Sequence, residues 1–353
     1  MFAGGALLLV STFVILKNER SAVHTAEGLD SGLKNAISVS SPEEKNNRQL
    51  VHVTGSLSAS DSITDAQTGL QTMAVFLQRN VSVLQWKEKA ETVKKAQNDG
   101  SNKLEKVYSY EKIWSDTPVD SSTFHNPKFK NPPFPVQNKI WNAKRVALGE
   151  FMLHEDLVHK TPGKTAMEFT QTEINSISSG TVKDNAILLS KTPGKPQAGD
   201  ARITYTIIRP AIYSIIAAQN GNLLQSYVEQ NGSRLGLIQK GEKNIAEMIG
   251  YAHKQNSFLA WIVRFLAMLG MKAGLSLVFI PVSRMGKALP VFGTIAASSV
   301  SIFTTTLAIA LSLVVISLAW VWQRPLLSLL LLAFAVAGFV YLKMKSFPKE
   351  KSI

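Results

Sequence analysis

The chain has no cysteine among its 353 residues, so disulfides, thiolate chemistry and cysteine-based metal sites are excluded. The compartment stays open, because a chain of this length can fold without such staples on either side of a membrane. Histidine is scarce as well, at six residues. The most suggestive pair, His154 and His159, brackets Glu155, Asp156, Leu157 and Val158. It resembles a zinc-protease helix, but the histidines are five positions apart rather than four and diverge around a helix of 3.6 residues per turn. Gly163-Lys164-Thr165 resembles the end of a phosphate-binding loop, yet Val158 stands where the first glycine belongs. Ser31-Gly32-Leu33-Lys34 has S-x-x-K spacing without companion motifs. Each reads as a surface feature, and no catalytic residue, cofactor, metal or enzymatic activity is expected.

Charge is absent from two long stretches near the carboxy terminus. Residues 291–322 and 326–342 carry none, with Gln323, Arg324 and Pro325 between them. A helix needs roughly 20 apolar residues to cross a hydrocarbon core of about 30 Å, so the pair reads as a tight hairpin of spanning helices. Acid is also missing there. Residues 258–353 hold nine basic side chains and only Glu350 as an acid, a net +8, while the preceding 257 residues contribute +5. Most of the overall +13 therefore flanks apolar segments. A nucleic-acid binder concentrates basic charge on its soluble domain, so nucleic acid is not an expected partner. The bilayer is one, with further copies or other membrane proteins beside it.

Two more apolar runs complete the pattern. Residues 2–16 are too short for a full span and lack the basic n-region of a signal peptide, which favours an uncleaved anchor. Residues 258–280 are long enough but contain Arg264 and Lys272. Each charge costs about 2.5–3.5 kcal/mol at a helix centre. Arg264 is near one end and can snorkel, whereas Lys272 needs other helices to face. The alternative is an amphipathic helix lying flat in the interface. Gly270 and Gly274 form a small-xxx-small pair, and Gly293, Ala297 and nearby hydroxyl residues make the third run adhesive; packing within the chain is favoured over dimerisation. Four spans place both termini together. Arg284, Lys287, Lys343, Lys345, Lys349 and Lys351 then oppose Arg324 at the hairpin tip, which makes the termini cytoplasmic.

Between the anchor and the remaining spans lies a polar region, residues 18–257. Residues 21–49 read as a helix and a loop. Residues 74–86 and 106–114 read as a long β-hairpin around polar residues 87–105, with Asn98-Asp99-Gly100 as a turn. Further strands are predicted at 50–53, 145–153, 186–190, 201–209 and 212–218, and a helix over 242–257 from Ile245, Met248, Ile249 and Ala252. Lys-Thr-Pro-Gly-Lys occurs at 160–164 and at 191–195, where Pro-Gly predicts two similar turns. Asn80-Val81-Ser82 and Asn231-Gly232-Ser233 are glycosylation sequons. The fold class is thus an α+β membrane protein: helix 1–17, β-rich domain 18–257, helices 258–280, 291–322 and 325–342, and a basic tail 343–353. Its function reads as a membrane scaffold, with a channel or transporter role resting on Arg264 and Lys272 as the alternative.

Several short motifs in order carry a resemblance. They are Asn18-Glu19-Arg20, Leu50-Val51-His52, Gln85-Trp86, Tyr108-Ser109-Tyr110 with Trp114, and Asn126-Pro127 after His125. Gly199-Asp200 with Arg202, Pro290-Val291-Phe292 and Arg324-Pro325-Leu326 follow. Together with the four apolar segments, the chain resembles the transmembrane protein 43 (LUMA) family. The resemblance implies four membrane helices and a large lumenal domain. Animal members look like scaffolds of the inner nuclear membrane and endoplasmic reticulum, associated with membrane-protein complexes, lamins and emerin; it supplies no catalytic residues. Two departures stand out: no cytoplasmic stretch precedes the first span, and the motif at Glu19-Arg20 lacks an intervening glycine. The first leans toward a bacterial relative in an inner membrane with a periplasmic domain, for which lamin and emerin partners do not follow.

Overall fold

The computed structural model describes residues 2–96, 102–190, 192, 194–228, 232, 234–280, 293–321 and 325–346, with residues 95, 96, 102, 103, 293–300 and 342–346 by backbone alone. They form two compact units, one helical and one β-rich.

The helical unit contains Phe2–Asn35, Ile245–Val278, Gly293–Trp320 and Pro325–Ser346. The first helix does not end with its apolar run at residue 17; it continues to Asn35. Its second half remains amphipathic, with Val23, Gly28, Leu29 and Gly32 buried and Arg20, Glu27 and Asp30 exposed. Thirty-four residues make about 51 Å, so the shortness of the apolar run is no limit on the helix. The second helix likewise starts before residue 258, at Ile245, with Met248 and Ile249 buried. It packs antiparallel on the first: Asn256 Nδ2 donates to the Ala22 carbonyl at 2.8 Å and Asn18 Nδ2 to that of Ala260 at 3.3 Å. Pro325 opens the fourth helix, where its fixed φ fits and its missing N–H costs nothing. Phe2–Asn35, Ile245–Val278 and Ser301–Trp320 are long and apolar enough to cross a membrane, and Pro325–Tyr341 is a shorter apolar helix.

The β-rich unit holds two larger sheets. In the first, Leu50–Ala59 pairs antiparallel with Ala211–Asn220, from Leu50↔Ala218 to Leu57↔Ala211. Leu50–Ala59 also meets Val146–Leu148, which leads through Phe151–Leu153 and Leu223–Gln225 back to Ala211–Asn220. These pairings close the sheet on itself around Val53, Leu57, Leu148, Phe151, Tyr213, Ile215 and Leu224. The short strands Ile37–Ser38 and Leu237–Lys240 pair outside this ring, so only short edges remain. The second sheet runs Thr181–Lys183, Ala186–Leu189, Ala201–Ile208, Phe76–Ala96 and Asn102–Ser115. The alternation Ile203, Tyr205, Ile207 buries one face, as expected.

The hairpin is longer than its apolar pattern. Strand pairing continues from Val83↔Ser115 to Ala96↔Asn102, through residues the sequence marks as polar. This stretch lacks apolar alternation because it leaves the sheet core as a two-stranded ribbon. It is held by cross-strand contacts such as Lys89–Glu111 at 2.9 Å and Tyr110 Oη donating to Glu88 at 2.6 Å. The predicted turn at residues 98–100 lies outside the described residues. The strands 145–153, 186–190, 201–209 and 212–218 are found within one to three residues of expectation, the first as two strands around positive-φ Gly149.

A buried polar cluster as the candidate functional site

The helical unit places an ionised pair where three helices meet. Arg264, on Ile245–Val278, donates from Nε to Glu19 Oε1 at 2.6 Å and from Nη2 to Oε2 at 2.7 Å. Glu19 projects from the first helix and is buried. Trp320, at the end of the third helix, donates its indole N–H to Glu19 Oε2 at 2.8 Å. The Arg264 guanidinium also lies 4.8 Å from the Trp261 ring centroid and 5.4 Å from that of Trp320. Asn18 Nδ2 adds a longer bond to Oε1 at 3.3 Å, so one carboxylate takes four donors, and one guanidinium lies against two indoles. Arg264 is therefore paired rather than snorkelling to water.

Below this cluster the helices touch through glycine. A Cβ added to Gly274 would come within 2.9 Å of the Gly4 carbonyl oxygen, and one on Gly4 within 2.7 Å of the Gly274 oxygen. Gly270 faces Ser11 in the same seam. The small-xxx-small pair thus packs on the first helix of its own chain. Further along, Ser317 Oγ donates to the Ser328 carbonyl at 2.6 Å and Ser328 Oγ to that of Ser317 at 2.8 Å, joining the third and fourth helices. These hydroxyls satisfy each other where neither has water to turn to.

Lys272 sits eight residues past Arg264 and is partly buried. No ion pair to it is found among the described residues. Gly293 and Ala297 lie on the backbone of the third helix, at positions whose side chains are outside the described residues, as is Arg324 altogether. Pro325 is exposed at the start of the fourth helix, away from the ion pair in sequence. Of the residues the sequence singles out, the structure joins Gly270, Gly274 and Arg264 along one helix interface. Glu19, Trp261 and Trp320 escape sequence reasoning. One signal was available: with no acid between 258 and 349, a countercharge for Arg264 had to come from the distant amino-terminal segment.

The collinear arrangement has counterparts. A family model described as Transmembrane protein 43 matches residues 83–325, more than half of the chain. The chain belongs to the transmembrane protein 43 family. It is 28% identical to mouse transmembrane protein 43 over 96% of its own length and 88% of that protein. The human protein is likewise 28% identical, over 95% and 87% of the two chains, and the fruit-fly homolog 25% over 92% and 89%. No solved structure matches the chain.

Other sequence candidates in this family member resolve into local structure. His154 caps the short helix Glu155–Val158, its Nδ1 facing the Asp156 amide. No group of three or more potential metal ligands occurs among the described residues. Asn80 lies in a paired strand with its amide on Thr206 and Gln78, and Asn231 is outside the described residues.

The β-rich unit contains two buried polar knots of its own. Arg79 binds Asp65 at 2.5 Å, and Tyr205 Oη donates to Asp65 Oδ2 at 2.6 Å. Burial, then the bond to Asp65, push the Tyr205 hydroxyl above the ordinary tyrosine range. Arg209 grips both oxygens of Glu173 at 2.8 and 2.9 Å, while Thr72 donates to the same carboxylate. Burial raises the Glu173 carboxyl, but Arg209, the Thr170 amide and hydroxyl and Thr72 outweigh it and hold the pKa at about 2.

Proposed function

We propose that this family member is a polytopic membrane organiser and not an enzyme. In this reading four helices cross the bilayer, the termini and the 281–290 loop face the cytoplasm, and the β-rich domain on the far side engages further copies or other membrane proteins. The observation that carries it is the Glu19–Arg264–Trp320 cluster. A charge inside a membrane segment is a functional candidate by default, and here it is consumed in fastening helices together. A fixed bundle suits a protein that presents a domain rather than one that moves a solute. Helix directions are consistent with alternating spans: Gly4 and Gly274 share one level and Glu19 and Arg264 another, so the first two long helices run in opposite directions. Two compartments fit this sidedness, a bacterial inner membrane with a periplasmic domain and an endoplasmic-reticulum or inner-nuclear membrane with a lumenal one. Light scattering after size exclusion in detergent, with chemical crosslinking in native membranes, tests the organiser role. Stable self-association or a reproducible membrane partner is expected, and a strict monomer without one contradicts it.

The transport reading rests on Lys272, for which no countercharge is found among the described residues. Proteoliposome flux that Lys272→Leu alters would favour it; absent or unaltered flux removes it.

A further inference from the structure

Four carboxylates are buried among the described residues: Glu19, Asp65, Glu173 and Asp200, at 1%, 1%, 5% and 8% exposure. Three have an arginine, namely Arg264, Arg79 and Arg209. A buried carboxylate left without a cation is costly, which explains the three pairings. Asp200 breaks the pattern. Its Oδ2 accepts from Ser190 Oγ and from the Gln197 amide, both at 2.9 Å. No ion pair reaches it and no hydrogen bond to Oδ1 is found among the described residues.

Asp200 lines a cavity of about 420 Å³ in the β-rich unit. Trp114 forms one wall, and Leu188 and Leu189 are among the other lining residues. Trp114 is cross-strand to Leu84, and the Leu84 amide donates to the Asp200 carbonyl at 2.8 Å, so sheet pairing fixes the indole relative to the carboxylate. Lys183 also lines the cavity but is exposed and makes no ion pair with Asp200. Thr192 and Gly194 line it as well.

We infer that this cavity is a binding site for an organic ammonium ion with an apolar body. The ammonium completes the pairing that Asp200 lacks among the described residues, and the body lies on the indole and on Leu188. Asp200 and Trp114 flank Leu84 across neighbouring strands, so a ligand whose ammonium sits on the carboxylate can reach the indole with its apolar body, which favours a cation over neutral and anionic analogues. The volume suits a small ligand.

The test uses the full chain in detergent micelles, labelled with 5-fluorotryptophan, with the Trp114 fluorine signal assigned by Trp114→Phe. Phenethylammonium is titrated against its neutral isostere 2-phenylethanol and the anion phenylacetate. A saturable shift of the Trp114 signal is expected with the cation, at an affinity at least about tenfold above either analogue. Asp200→Asn should remove that preference while the remaining tryptophan signals stay in place. If the variant does not fold, the comparison of the three ligands on the unaltered chain still decides. Equal binding of all three, or no saturable shift with the ammonium, overturns the inference.

Discussion

At the scale of single residues, the buried ion pair makes the sharpest demand. Removing either partner strands a charge in an apolar environment, at a cost of about 3–5 kcal/mol, whereas replacing both with apolar groups of similar size is nearly neutral. Glu19→Leu and Arg264→Leu should each lower the thermal midpoint of the detergent-solubilised protein, and the double variant should recover most of the loss. Additive losses in this double-mutant cycle would mean that the pair does not act as a unit. Arg264 was visible in the sequence as a misplaced charge; Glu19 was not, because 245 positions separate it from its partner and ordinary polar neighbours, Asn18 and Arg20, surround it.

Glu173 gives a pH test in the β-rich unit. Its folded pKa of about 2 lies below the ordinary 4.5. A lowered carboxyl pKa stabilises the fold above the unfolded value and loses that contribution as pH falls toward the folded one. Stability should therefore decline between about pH 4.5 and about pH 2, and Glu173→Gln should flatten that decline in acid-unfolding curves. An unchanged slope would show that other carboxyls, such as Asp61 or Asp156, govern the acid limb.

At the scale of elements, the seam between the first two long helices is the critical contact. An added Cβ at Gly270 would stand 3.7 Å from Ser11 Cβ, within the range a disulfide needs. The absence of native cysteine makes Ser11→Cys with Gly270→Cys a clean probe, expected to crosslink under mild oxidation. Gly274→Leu should prevent that crosslink and destabilise the bundle by about 1–3 kcal/mol, because a side chain there meets the Gly4 backbone. Helix existence was legible from apolar runs, and the helical spacing of Ile245, Met248 and Ile249 announced the extension of the second helix ahead of residue 258. That residues 20–35 belong to the same helix as the apolar run before them was not, because only buried Val23 and Leu29 carry the apolar face onward. The first strand of the ribbon beyond Trp86 shows the converse: its polar residues 87–96 carry no apolar alternation to read.

At the scale of the molecule, the division into apolar helices and a β-rich domain was legible because lipid and water demand different compositions. Closure of the first sheet was not. It depends on Leu50–Ala59 meeting Ala211–Asn220, a pairing between segments about 160 residues apart that local pattern cannot announce. In the proposed topology the three helices after the β-rich domain cross the bilayer in turn, so that domain and tail end on opposite sides. The chain's lack of cysteine allows a direct measurement: single cysteines at Glu150 and at Lys349, probed with a membrane-impermeant maleimide in intact cells or sealed vesicles of uniform orientation. One position should label before lysis and the other only after it. Labelling of both before lysis, or protection of both, would contradict it.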